Sequence, residues 1–251
     1  MFNVVVDKLI SVKLNGMAEG LKEQSGNRAY KELSFDERFG MLVDKEIMYR
    51  ENRRLKMLLS KAHFRYSNAC VEDIDFSARR RLEKQFILKL SQNEWIRDSY
   101  NIIITGSTGA GKTYIACALG NGACRAGVRT CYVRLPRLLQ EMKISRADGS
   151  YIKLLRTLSR VKLLIVDDWG LSPLSDAERK DFLEIMEDRH NVRSTIISSQ
   201  IPVEKWHDFV GEPTIADAIC DRLVHNAYNI RLEGESMRKL RSKMPKKHPE
   251  I

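Results

Sequence analysis

The stretch Asn101-Ile102-Ile103-Ile104-Thr105-Gly106-Ser107-Thr108-Gly109-Ala110-Gly111-Lys112-Thr113 decides the fold. An apolar run ends in GxxxxGK[ST], the pattern of a phosphate-binding loop between a strand and a helix. Glycines let successive backbone N–H groups close round phosphate oxygens, and the following helix aims its positive dipole end at the same place. In this reading Gly106, Ser107, Thr108, Gly109, Ala110 and Gly111 cradle the phosphates. Lys112 reaches the outer phosphates, and the Thr113 hydroxyl ligates Mg²⁺.

A second apolar run, Leu163-Leu164-Ile165-Val166, ends in Asp167-Asp168. A strand buried on both faces reads as such an unbroken run, and ligands bind outside its carboxyl end. Asp167 is then a metal carboxylate, and Asp168 orients or deprotonates the attacking water. Many hydrolases of this type carry Glu at that second position, so the shorter Asp168 bears on turnover rather than on binding. A third run, 194–199, ends at Gln200, within reach of a terminal phosphate. Arg222, at the end of the 213–225 helical stretch, and Arg238 are candidates for the cation that stabilises the transferring phosphoryl group.

Around these motifs the pattern alternates. Strands are expected at 101–105, 130–133, 163–167, 194–199 and 228–232, and helices at 112–126, 136–143, 150–160, 175–190 and 213–225. That alternation means a parallel sheet with helices on both faces. Residues 1–98 read as helical. Ile10, Leu14, Met17, Ala18 and Leu21 mark one helix. Ser34-Phe35-Asp36-Glu37 is a capping box opening a long one, with Phe39, Leu42, Val43, Ile47, Leu55, Leu58, Leu59 and Ala62 as its apolar stripe. Ser77 is expected to cap a further helix with Leu82, Phe86 and Leu90 inward. The expected organisation is a helical DNA-binding and assembly region at 1–76, an ATPase core at 77–240 and a basic tail at 241–251.

The 251 residues carry a formal charge of +10. Residues 99–228 are nearly balanced, with 17 Lys and Arg against 15 Asp and Glu, whereas residues 229–251 carry 7 against 3. An excess on the flanks points to a polyanionic partner. At about 3.6 residues per turn, Arg50, Arg54, Lys61 and Arg65 fall within an arc of about 60°, and Arg53 and Lys56 lie on the same helical stretch. These six residues are the candidate nucleic-acid contacts, directed at phosphate, and Phe64 and Tyr66 are placed to meet sugar or base. The five cysteines form no CxxC pair, which argues against a metal site and for a reducing, cytoplasmic setting. No apolar run is long enough to cross a membrane.

Taken in order, GSTGAGKT, LLIVDDWG, STIISSQIP, ADAICDRLVHNA and GESMRK resemble the AAA+ ATPases of the IstB/DnaC group, most closely the IstB-type helper ATPases of insertion-sequence transposition. The resemblance extends to LNGMAEGL and SFDERFGMLVDKE near the N-terminus. It implies an αβα sandwich of strand order 5-1-4-3-2 without a full C-terminal lid. ATP with Mg²⁺ would lie between protomers of a ring or spiral homo-oligomer. Arg222 would complete the neighbour's site, Gln200 would match the sensor 1 position and Arg238 the sensor 2 position. Duplex DNA and a transposase are the implied partners. The DnaC branch, which loads a replicative helicase on single strands, and a weakly hydrolysing nucleotide-switched scaffold are the alternatives.

Overall fold

The computed structural model describes residues 2–77, 80–234, 236, 237 and 239. The chain divides into two compact units between Met57 and Leu58.

The first unit is helical: α1 (Phe2–Ser11), α2 (Asn15–Gly26), a 3₁₀ turn at Arg28–Glu32 and most of α3 (Phe35–Ala62). The first expected helix is thus two. Lys13 adopts φ +64°, Leu14 N–H donates to Leu9 O, and Lys13 N–H donates to Ile10 O, a Schellman ending built on a lysine. Helix α2 starts against α3, where the Glu46 carboxylate accepts from the amides of Gly16 (2.7 Å) and Met17 (3.1 Å) and from Arg50 Nε (2.6 Å). A Cβ at Gly16 would lie 2.6 Å from Lys45 O, so only glycine allows this approach. Ser34 and Glu37 form the expected capping box. The stripe on α3 is covered only in part. Leu42, Leu58 and Ala62 are buried, but Phe39, Val43 and Ile47 are exposed, because α2 packs at Gly16 and Gly20 along the Leu42–Glu46 row, one row away.

The second unit holds α4 (Lys84–Ser91), α5 (Glu94–Arg97), β1 (Asn101–Gly106), α6 (Lys112–Arg125), β2 (Thr130–Arg134), α7 (Leu135–Asp148), α8 (Tyr151–Arg160), β3 (Leu163–Trp169), α9 (Asp176–Arg189), β4 (Ser194–Ser199), α10 (Trp206–Val210), α11 (Pro213–Val224) and β5 (Ala227–Leu232). The five strands are parallel in the order β2-β3-β4-β1-β5, the expected topology. Successive strand residues feed opposite cores. Ile102, Ile104 and Ile165 pack with Ile115 and Leu119 of α6, whereas Ile103, Leu164 and Val166 pack with Leu138, Met142 and Phe182.

Ser77 caps no helix. Its amide and hydroxyl both donate to Asp75 Oδ1 in a local turn, and α4 begins only at Lys84. Helix α7 runs past the expected 143 to Asp148, and α10 had no distinct periodic signal. Arg65 lies beyond the end of α3, which His63 terminates at φ +55°, so Arg65 does not share the helical arc of Arg50, Arg54 and Lys61. Phe64 packs into the core below α6 and meets no solvent-facing stripe.

One buried cation knits the lower edge of the sheet. Arg189, 1% exposed, donates to Leu158 O (2.8 Å), Val161 O (2.9 Å), Thr195 Oγ1 (3.1 Å) and Ser194 O. Burial pushes its pKa down to about 9. Arg189→Met leaves those carbonyls unpaired, and an urea titration should show a loss of about 3 kcal/mol. Glu46→Ala should cost the helical unit about 2 kcal/mol at neutral pH. Burial alone would raise the Glu46 pKa, but Arg50 and the two amides outweigh it and hold the group below the ordinary carboxylate range. Its contribution is therefore present at neutral pH and disappears as pH falls through that lowered value, so the variant and the parent should converge in acid unfolding curves.

Candidate nucleotide site

At the carboxyl edge of β1 the chain turns through residues 106–111 and enters α6 with Gly111 as N-cap at φ +101°. Any larger residue there would be strained, and its Cβ would sit 2.7 Å from Arg80 Nη1. Lys112, 8% exposed, folds back under the loop, its Nζ donating to Gly106 O (2.8 Å) and Ser107 O (2.9 Å). Ala110 is buried and closes the turn through Ser107 O. Ser107 and Thr108 face outward. Met237 N–H donates to Gly109 O (2.9 Å), so the segment after β5 packs on the loop. Arg238, next along that segment, lies outside the described residues.

Three neighbouring strands deliver side chains to this loop. Thr113 Oγ1 donates to Asp167 Oδ2 (2.8 Å) at the end of β3. Tyr132 of β2 donates its hydroxyl to the same oxygen (2.8 Å). Burial, then the Asp167 charge, raises the Tyr132 pKa far above the ordinary phenol value, which keeps it a donor. Gln200, just past β4, accepts from Thr108 Oγ1 (2.8 Å). Asp168 stands in a bulge between Val166 and Trp169 at φ +63°, which turns it off the strand's alternation. Its carboxylate accepts from Arg134 Nε (2.6 Å) at the end of β2.

A cleft opens beside the loop, lined by Tyr66, Ile74, Asp75, Arg80, Tyr114 and Met237. Tyr66 lies in this cleft with its ring 5.9 Å from that of Tyr114. Arg80 is buried, donating to Ala110 O (3.1 Å) and to Asp75 O. Tyr132, Arg134 and Arg80 carry no motif in the sequence that marks them as site residues. Arg80 sits in the run Arg79-Arg80-Arg81, which reads as surface charge, and the other two are ordinary strand residues until β2 pairs with β3.

Arg222 is not at this loop. On α11 it pairs with Glu187 of α9 and donates to Ala218 O (2.8 Å). The Arg222 guanidinium holds the Glu187 carboxyl below its usual range. Arg50, Arg53, Arg54 and Lys56 are exposed on α3 in the first unit, Arg50 paired with Glu46. Lys61 and Arg65 are exposed in the second unit. Cys117 is buried in one core and Cys131 packs half-buried against the opposite one, and desolvation pushes both thiols up to about 11. Among the described residues no group of three His, Cys, Asp or Glu side chains could hold a metal ion alone, and no helix is long and apolar enough to cross a membrane.

Comparison with known proteins agrees with this geometry. The family model described as IstB-like ATP binding protein matches residues 7–245. An insertion-sequence ATP-binding protein of Sinorhizobium fredii is 46% identical over 93% of this chain and 95% of its own length. The ATP-binding protein of insertion sequence IS21 from Pseudomonas aeruginosa is 29% identical over 94% of this chain and 87% of its own. In fold the chain is similar to DnaI (TM-score 0.58, 22% identity, 71% of this chain and 94% of that one). It is also similar to AMPPCP-bound DnaA of Aquifex aeolicus (TM-score 0.56, 22% identity), matching 69% of this chain and 53% of that longer one. The chain belongs to the IstB-like ATP-binding proteins of insertion sequences, built on an AAA+ P-loop core.

Proposed function

We propose that this IstB-like protein is an ATPase that assembles as a ring or spiral homo-oligomer on duplex target DNA and there recruits or stimulates a partner transposase, acting in the cytosol. The observation that carries the ATPase reading is the convergence of Thr113, Asp167 and Gln200 on one loop from the ends of α6, β3 and β4. A lysine under a glycine loop, a hydroxyl–carboxylate pair and a carboxamide are the parts that phosphoryl-transfer chemistry uses.

The residues present fit Mg²⁺ bound with nucleotide. A hydroxyl and a carboxylate, both hard oxygen donors, stand side by side, and such an ion takes its other ligands from phosphate and water. Thr113 and Asp167 would hold it, and it would supply charge neutralisation at the phosphates. Lys112 exchanges its two loop carbonyls for phosphate oxygens. Gln200 orients the attacking water, and Asp168, released from Arg134, accepts its proton. Arg222 of a neighbouring subunit completes the site, which makes assembly and turnover one event. Arg238 is assigned to the nucleotide. Exposed cations at Arg50, Arg53, Arg54, Lys56, Lys61 and Arg65 are suited to phosphate contacts of low sequence specificity.

Lys112→Ala should abolish binding of a fluorescent ATP analogue. Arg222→Ala should keep that binding yet lower turnover by about 10³-fold or more, the range for a lost arginine finger. Full turnover by that variant would remove Arg222 from the site. Neutralising Arg50, Arg54, Lys61 and Arg65 together should weaken duplex binding in fluorescence anisotropy and leave nucleotide affinity unchanged.

A further inference from the structure

A second cationic surface lies at the opposite edge of the sheet. Helix α8 presents Lys153, Arg156 and Arg160 on one exposed face, while Leu155 and Leu158 on the other are buried. Arg129, in the turn leading into β2, joins them round a shallow open depression that also includes Ile152 and Thr157. Among the described residues none of these four cations has a carboxylate partner. The sequence explains why: between Asp98 and Glu141, and again between Asp148 and Asp167, there is no Asp or Glu at all. Arg160 alone could be assigned to the negative end of its own helix dipole. Lys153 and Arg156, nearer the start of α8, and Arg129, on a different element, have no such account.

We infer that Arg129, Lys153, Arg156 and Arg160 form a second nucleic-acid phosphate-binding face on the ATPase core, separate from the nucleotide loop and from the basic residues of α3. Thr130 and Leu163 open β2 and β3 at this edge, whereas the loop and Asp167 lie at the other. Strands of this length separate the two edges by about 17–20 Å, so one ligand cannot serve both. Lys153 to Arg160 spans about 10 Å along the helix, the axial rise of about three successive phosphates of one strand. A line of cations matches a repeating anion better than a single small one, and three of the four are arginines, whose planar fork suits phosphate oxygens. Buried Arg189 holds the base of this surface in place through Leu158 O and Val161 O.

This inference rests on the duplex-binding reading, and the test separates the two. Binding of the full chain to a short fluorescein-labelled duplex is measured by anisotropy across a salt series, for the parent and for the combined variant Arg129→Gln, Lys153→Gln, Arg156→Gln, Arg160→Gln. The variant should bind at least about tenfold more weakly, and its log–log salt slope should flatten by about 2–4, with ATP-analogue binding unchanged. In the parent, duplex should protect Lys153 from acetylation several-fold, a readout that requires no variant. An unchanged slope with unprotected Lys153 overturns this face while leaving the duplex-binding reading intact. A parent that binds no duplex overturns both. Retained duplex binding together with lost binding of poly-glutamate reassigns the face to an acidic peptide and overturns the inference.

Discussion

The hydrogen bond from Thr113 to the buried Asp167 carboxylate is the constraint on which the site depends. Thr113 opens α6 and Asp167 ends β3, two elements far apart in sequence, and β4 runs between β3 and β1. Tyr132 adds β2 to the same oxygen. A carboxylate that is 1% exposed is tolerable because it accepts from two hydroxyls. Parallel strand order follows from the same requirement. Only a sheet in which β1, β3 and β4 all point the same way brings Gly106, Asp167 and Gln200 to one edge.

The charged groups assigned to the site are held by partners inside the chain. Lys112 binds loop carbonyls, Asp168 binds Arg134, and Arg222 binds Glu187. The Arg134–Asp168 and Arg222–Glu187 pairs reach solvent, so each is worth about 1 kcal/mol or less. The positive φ of Asp168 belongs to the same economy of design: a bulge aims the carboxylate across to the end of β2, which the pleat of a regular strand would not do.

The helical unit obeys a different rule. Its central contact is Glu46 serving as a cap for α2 from another helix, which puts a carboxylate at the positive end of the α2 dipole and satisfies two amides. Gly16 and Gly20, which weaken an isolated helix, here permit the approach. The exposed Phe39, Val43 and Ile47 show that the apolar pattern of α3 exceeds what this unit covers.

Local chemistry carried much of this in the sequence. The loop, the two strand-end carboxylates, the alternation of periods and the capping box at Ser34 are short-range patterns, and each determined its element because backbone conformation and side-chain period are local properties. What the sequence could not show was anything that depends on two distant segments meeting. Arg80 and Tyr132 became site residues only when their strands and loops packed beside the phosphate loop. Lys13 ended a helix through a left-handed turn that lysine rarely adopts, and Arg65 left the arc of its neighbours because His63 closed α3. The unpaired cations of α8 were ordinary surface residues in sequence, and the tertiary structure alone set Arg129 beside them, since charge convergence is a property of folded distance and not of spacing along the chain.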